Sequence, residues 1–447
     1  MNFSTMRFIT LAVICILSVG CTHYTKVQNT SISTIQSDQG YRPPSKRTDV
    51  GADSFGDVLV FVSFSGGGTR AATLSYGVLE ELRDTKITID GKSKSLLDEV
   101  DTISSVSGGS FTAAYYGLHG DKIFDDFEID FLKKNIQEQL LDSLFSFHFW
   151  WRALTSGFDR TEMAIQNYEE NIFRNATFAD LKLDGPYIQI NATDIGSGER
   201  FQFTQDYFDL ICSDLNKFHI ARAVAASSAV PVAFSPIVLE NNAAKCTLPS
   251  QHNFNGIKKN KSQLKNALIS YRDIKQRPYI HLVDGGIIDN LGVRALPELV
   301  GVYGGAEYAA QKLLHHIPKH MVVIVVNAET SPVRSFERSA MEPNIGMVVG
   351  AVTDIQITRY NQDSIALIKR SLSQWTQEIK EKTGESITPH YIEVSFTQEK
   401  NKQRKLRLNK ISTSLQLPKG EIDTLKIAGR ELLRESTAFK NLLHQLQ

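Results

Sequence analysis

The sequence has no surplus of either charge: 49 Lys and Arg balance 49 Asp and Glu over 447 residues. A chain that held nucleic acid or an anionic bilayer by bulk electrostatics would need an excess of Lys and Arg, so nucleic acid is not expected as a partner and net charge would not carry the chain to a membrane. Cysteine is scarce, at four residues, which excludes a disulfide-dense miniprotein. No CxxC pair and no Cys/His cluster with zinc spacing occurs, so no metal site is expected and nothing else calls for a cofactor. There is no internal repeat of the solenoid type. The longest apolar run, Phe8 to Gly20, falls short of the roughly 20 residues that a transmembrane helix needs. What is present is ordinary globular material, 42% hydrophobic and 22% charged, enough for a sizeable core. The length allows three domains or one large α/β body with insertions.

The run Phe8 to Gly20 follows Arg7 and stops at Cys21, which reads as a secretory signal. Ser18, Val19 and Gly20 before Cys21 resemble the lipobox of bacterial lipoprotein precursors, in which the Cys is diacylated and becomes the new amino terminus. That pattern has Leu three residues before the Cys, whereas here Leu17 lies four before it. A plain signal peptide and an uncleaved anchor are the other readings. Thr22 stands where an Asp would be associated with inner-membrane retention, so the outer membrane, facing the periplasm, is the expected location. With Cys15 removed and Cys21 lipidated, only Cys212 and Cys246 remain; they are either a disulfide of an oxidising compartment or two separate thiols.

Residues 21–56 are rich in Ser, Thr, Gln, Asp and Gly, carry Pro43 and Pro44, and read as a flexible tether between signal peptide (1–20) and body (57–447). From Val58 onward, short apolar runs alternate with helical patterns, which predicts a three-layer α/β/α fold around a central, mostly parallel sheet. Strands are expected at Val58–Val62, Val100–Ser104, Tyr187–Ile190, Tyr279–Val283 and Met321–Val326, with a Gly-turned antiparallel ribbon across Tyr187–Phe203. Helices are expected at 73–84, 108–118, 124–140, 161–174, 292–301, 344–373 and 420–435, and a solvated polar excursion at 247–277.

Three strand-to-turn junctions carry chemistry. The first runs from Val58 through Gly66, Gly67, Gly68, Thr69 and Arg70 into a helix, exposing backbone N–H groups at the positive end of a helix dipole. Taken alone it serves equally as a nucleotide site, an oxyanion hole or a tight turn. Gly66, Gly68 and Ala71 fit the dinucleotide fingerprint GxGxxA with Asp90 beyond, while the missing Lys excludes a Walker A loop. The second, Ser105-Val106-Ser107-Gly108-Gly109, is a near match to the GxSxG elbow that exposes a Ser hydroxyl on a strained turn, with Ser105 in place of the first Gly. The third, Val283-Asp284-Gly285-Gly286, delivers one carboxylate at the end of an apolar strand, where α/β sheets place their sites, though such a sequence is more often only a turn.

In this order and spacing the three resemble the patatin-like phospholipase family. Two further stretches add to the likeness: Ala226-Ser227-Ser228-Ala229-Val230-Pro231, and the segment from Asn191 to Glu199. The resemblance spans about residue 58 to 295. It implies a Ser–Asp dyad with Ser107 as nucleophile and Asp284 as base, with Gly66, Gly67 and Gly68 as oxyanion donors and Gly109, Gly285 and Gly286 in support. Arg70 would hold the loop or attract a lipid phosphate. The chemistry is coherent, since an alcohol needs a base to attack an ester, and a buried carboxyl has a raised pKa suited to that work. A histidine-based triad is the mechanistic rival among 11 His, but His281 alternates away from Asp284 and reads as a core or sheet-edge residue.

The segment Phe145 to Phe158 holds six aromatics, including Trp150 and Trp151, and is either an apolar lid or acyl-chain wall or a packed core helix. The expected activity is hydrolysis of lipid acyl esters, of phospholipase A or lysophospholipase type, on phospholipid or lysophospholipid, by a membrane-anchored lipoprotein. A catalytically weak or inactive lipid-binding envelope lipoprotein is the alternative, and a dinucleotide-binding enzyme a remote one.

Overall fold

A computed structural model describes residues 27–46, 56–89, 91–134, 160–231, 233–248, 263–331, 335–338 and 340–446. The signal segment with Cys21, Asp90 and the aromatic stretch 144–158 lie outside the described residues.

Eight strands form the central sheet: β1 (Val58–Phe64), β2 (Val100–Val106), β3 (Tyr187–Asp194), β4 (Glu199–Phe203), β5 (Ile237–Glu240), β6 (Tyr279–Asp284), β7 (His320–Asn327) and β8 (Thr388–Ser395). Their order is β8-β7-β1-β2-β3-β6-β5, with β4 also paired to β3. The pairs from β8 to β3 are parallel; β3 with β4, β3 with β6 and β6 with β5 are antiparallel. The helices that matter here are α1 (Gly68–Asp84), α2 (Gly108–His119), α3 (Ile220–Ser227), α4 (Ala295–Tyr303), α5 (Ala306–Leu313), α6 (Ile345–Thr383), α7 (Lys419–Glu435) and α8 (Thr437–Gln445).

The strands are apolar on both faces because both are covered, and alternate side chains feed two separate cores. Val58, Val60, Val62 and Phe64 of β1 pack with Leu74 and Val78 of α1, Phe111 of α2, Val224 of α3, Leu425 of α7 and Leu442 of α8. Phe61 and, from β7, Met321, Val323 and Val325 face the other way, against Ala306 of α5 and Ile368, Leu372 and Trp375 of α6. The architecture is therefore the expected three-layer α/β/α sandwich.

Four local expectations need correction. Residues 27–46 are not a free tether: Thr30–Ser31 pairs antiparallel with Ser213–Asp214, and Tyr41 stacks on Tyr187 at 5.0 Å. The guanidinium of Arg42, buried to 2% exposure, binds Asp206 at 2.6 Å and Asp209 at 2.7 Å. A polar average concealed these few anchoring side chains. The expected helix at 124–140 is a short α-turn over Ile123–Phe127 continued by a π-turn over Glu128–Leu132, with its remainder past Lys134 outside the described residues. The polar excursion contains a helix, Gln263–Ser270, that buries Leu264 and Leu268. Strands β5 and β8 lie outside the expected set: β5 is only four residues long, and Pro389 and His390 interrupt the apolar pattern of β8. Cys212 and Cys246 are joined by a disulfide with Cα atoms 5.7 Å apart. No described helix is long and apolar enough to cross a membrane.

Candidate active site

The junctions after β1, β2 and β6 converge through the register of β3. On one edge β3 pairs with β4 from Ile190 to Asp194. Its other edge is shared by two strands: β2, ending at the pair Val106 with Asn191, and β6, whose Asp284 pairs with Ala192. Strands β2 and β6 therefore run toward each other along one edge of β3 and meet at their carboxyl ends. Ser107 leaves the first and Asp284 ends the second, so two residues far apart in sequence become neighbours.

Ser107 adopts φ 49° and ψ −121°, a conformation that L-residues avoid. It caps the start of α2 and is 7% exposed. Its side chain is a polar neighbour of the Asp284 carboxylate and favours the charged form of that group. Asp284 accepts the Gly286 N–H at 2.7 Å through Oδ1. Burial pushes its carboxyl up to about 6, against the pull of these two groups toward the charged form. The turn is tied down from behind. The Ser107 N–H donates to Ser227 Oγ at 2.8 Å, and Ser227 donates its own hydrogen to Asn191 O at 2.6 Å. Because a hydroxyl has one hydrogen, the 3.0 Å contact between Ser110 Oγ and Ser227 Oγ must be donated by Ser110. Asn191 in turn donates to Ser104 Oγ at 2.9 Å and Ser105 O at 3.0 Å. Ser105, replacing the elbow's first Gly, is buried and spends its hydroxyl on Gln189 O at 3.1 Å.

The glycines are needed where loops touch. A Cβ on Gly108 would lie 2.0 Å from the Gly68 carbonyl oxygen, and one on Gly109 2.7 Å from the Phe64 carbonyl oxygen. A Cβ on Gly285 would meet Asn191 O at 2.5 Å. Gly67 and Gly68 have φ of 137° and 60°, open to glycine and costly for other residues. Among the described residues, the N–H groups of Gly67, Gly68 and Gly108 have no acceptor. Gly66 departs from expectation: its N–H donates to Asn290 O at 2.9 Å and so is already used. Asn290, Asn191, Ser227 and Gly108 are members of this site to which the motifs alone assign no role. The signal was present for Ser227 and Asn191 inside the two supporting stretches, but a single sequence shows no side-chain partners.

Arg70 is a clamp. It is 5% exposed and donates through Nε to Ala328 O at 2.9 Å and through Nη1 to Ile411 O at 2.8 Å. Burial lowers its guanidinium to about 10, opposed by the charges of Asp354 and Glu329. It thus fastens the glycine loop to the end of β7 and to the carboxyl-terminal segment rather than pointing at a ligand. His281 is exposed on β6 and is not part of the core. Among the described residues no histidine hydrogen-bonds Ser107 or Asp284, and the paired His320 and His390, 3.1 Å apart, sit toward the amino ends of β7 and β8, the wrong end of the sheet. The dinucleotide fingerprint has no cradle here: Thr69 N–H is taken by Ser414 O at 2.8 Å, and the same carbonyl lies 2.4 Å from where a Gly68 Cβ would be. Among the described residues there is no group of His, Cys, Asp and Glu that could hold a metal ion.

The family model for the patatin-like phospholipase domain matches residues 62–297, more than half the chain, and covers all three junctions. The chain belongs to that family. Among solved structures it is similar to human GIVD cytosolic phospholipase A2, at 12% identity and a TM-score of 0.47 over 96% of this chain and 66% of that one. It is also similar to human GIVD cytosolic phospholipase A2 in complex with methyl gamma-linolenyl fluorophosphonate, at 12% identity and a TM-score of 0.39 over 88% and 60%. VipD from Legionella pneumophila matches at 12% identity and a TM-score of 0.33 over 97% and 73%. The chain spans slightly less than two thirds of the human chains. No curated protein matches it.

Proposed function

We propose that this protein hydrolyses carboxylic esters of phospholipids or lysophospholipids through Ser107 and Asp284. The observation that carries the reading is the meeting of Ser107, held on a strained turn, with the buried Asp284 carboxylate where β2 and β6 converge, with no histidine hydrogen-bonded to either among the described residues. In the first half-reaction Ser107 Oγ attacks the ester carbonyl carbon and its proton passes to Asp284. The tetrahedral intermediate collapses, breaking the bond to the leaving alkoxide, which takes the proton back from Asp284. Water then attacks the seryl ester, Asp284 accepts its proton, and the fatty acid departs as Ser107 recovers its hydrogen. The negative oxygen of each intermediate would be met by the free N–H groups of Gly67, Gly68 and Gly108, at the starts of α1 and α2, where the helix dipoles add to the attraction. Loss of one such donor costs on the order of 3 kcal/mol in transition-state stabilisation.

The departure at Ser105 does not favour an inactive lipid-binding protein, since its hydroxyl is absorbed by the neighbouring strand without disturbing the turn. Membrane attachment through diacylated Cys21 remains part of the proposal and rests on the sequence; the Cys212–Cys246 disulfide fits export to an oxidising compartment such as the periplasm. The test is turnover of a panel of phospholipids, lysophospholipids and short-chain esters with product analysis. Fatty acid release that disappears in Ser107→Ala is expected, and binding of the panel without release by wild type would reverse the reading toward a non-catalytic lipid carrier.

A further inference from the structure

A cavity of about 830 Å³ lies on the sheet face covered by α4, α5 and α6, within the size range of lipid-sized ligand sites. None of the residues of the Ser107 and Asp284 site lines it. Its sheet wall comes from the amino-terminal halves of the parallel strands, at Leu59, Phe61, Thr102 and Met321. Thr102 precedes Ser107 by five residues, which at the rise of an extended strand is about 16 Å. The wall opposite is apolar as well, with Leu296, Trp375 and Ile379.

The polar groups of the cavity say what kind of head group it would take. Its buried charges are already matched: Lys46 pairs with Asp206 at 2.7 Å, Arg42 with Asp206 and Asp209, and Arg200 with Glu298 through Nε at 3.0 Å. A charged ligand finds no unmatched counter-ion among these inner groups; Lys312, on the exposed lining, meets the ring of Tyr308 at 5.5 Å. Two uncharged groups are left over. Gln202, 8% exposed, has its Nε2 buried without an acceptor, and Gln189 has its Oε1 buried without a donor, among the described residues. Both line the cavity. Through the pairing of Asn191 with Gln202, they lie diagonally across β3 and β4 on one face of the sheet. One unused donor and one unused acceptor, at the margin of an apolar chamber, match a head group that both accepts and donates a hydrogen bond.

We propose that this cavity is a second lipid site, separate from the dyad, for a single-chain neutral lipid of the monoacylglycerol type. The acyl chain lies against Phe61, Leu296, Met321 and Trp375, and the glycerol oxygens meet Gln202 and Gln189. The site has a connection to the elbow: Arg200, on the cavity wall, donates to Asn191 Oδ1 at 2.9 Å, and Asn191 holds Ser104 and Ser105 of the strand that ends at Ser107.

The experiment is a calorimetric titration of the full chain with 1-O-hexadecylglycerol, an ether without an ester bond to cleave. One molecule is expected to bind per chain, equally in wild type and Ser107→Ala. Gln202→Leu should weaken binding about tenfold or more while ester hydrolysis persists. Leu296→Trp, which fills the chamber, should abolish it, with thermal melting confirming the fold. Palmitate at pH 8 should bind at least about tenfold more weakly than the ether. Absence of binding by folded wild type, or undiminished binding by both Gln202→Leu and Leu296→Trp, would overturn the site. Palmitate binding as tightly as the ether would overturn the assignment of a neutral head group.

Discussion

Ser227 accepts the backbone N–H of Ser107 at 2.8 Å while donating to the carbonyl of Asn191 at 2.6 Å. The hydroxyl therefore ties the turn that bears the proposed nucleophile to the central strand that also registers Asp284, and a third bond from Ser110 completes its capacity. Ser227 touches no reacting atom in the proposed chemistry, so its role is to position.

Ser227→Ala removes these bonds and leaves a buried N–H and a buried carbonyl without partners, at a cost of about 1–3 kcal/mol in stability. The expected kinetic result is a fall in kcat of roughly 10- to 100-fold with KM nearly unchanged, because a misplaced Ser107 hydroxyl impairs attack more than lipid binding. Steady-state kinetics on a soluble ester measure it. A change confined to KM would argue against positioning.

The carboxyl of Asp284 is pushed up to about 6 because burial outweighs the opposing pull of the Gly286 N–H and of Ser107. A base must be ionised to accept the Ser107 proton, so kcat/KM is expected to rise through about pH 6 and level off above it. Asp284→Asn should abolish this limb together with most of the activity, about 10²- to 10⁴-fold. A variant that kept near-normal turnover and the same pH profile would place the base elsewhere.

The same shift has a cost in stability whose sign is fixed. Asp284 is raised from 3.8 to about 6 by burial, so the fold holds its proton more tightly than the unfolded chain does. The corresponding stability is fully present below the unfolded value and is lost as pH rises through 6. Asp284→Asn cannot ionise, and should exceed wild type in stability at pH 8 by about 1–3 kcal/mol, with the gain shrinking toward zero near pH 4. Denaturant melts at the two pH values test this. Asp289, also raised to about 6 by burial, and Asp101, raised to about 7, act in the same direction in wild type and variant alike.

Strain at Ser107 predicts an inversion of the usual order of two small residues. At φ 49° and ψ −121°, alanine keeps the clash that serine has, while glycine does not. Both substitutions lose the hydroxyl equally. Ser107→Gly should therefore be more stable than Ser107→Ala by roughly 1 kcal/mol, although glycine has the more flexible unfolded chain. Equal or reversed stability would show that the turn is not strained.

Much of this molecule was legible in the sequence for a local reason. The strands β1 and β7 are nearly continuous apolar runs, β2 and β6 are shorter apolar patterns broken by polar residues, and Gly66 to Gly68, Ser107 and Asp284 stand at or just beyond the ends of β1, β2 and β6. What could not be read was relational. Nothing in the chain announces that β2 and β6 collide along one edge of β3, that the Gly66 N–H is claimed by Asn290, or that Arg70 faces Ala328 and Ile411. Residues 27–46 look like a linker because their composition is polar; Tyr41 and Arg42 dock them through specific partners far along the chain. The cavity under α4 to α6 also follows from packing and left no motif.

The most direct measurement is covalent labelling with a fluorophosphonate followed by peptide mass spectrometry. One adduct per chain is expected, located on Ser107, forming faster as pH rises through about 6 and lost in Ser107→Ala. An adduct on another residue, or labelling of Ser107→Ala at the wild-type rate, would contradict that assignment.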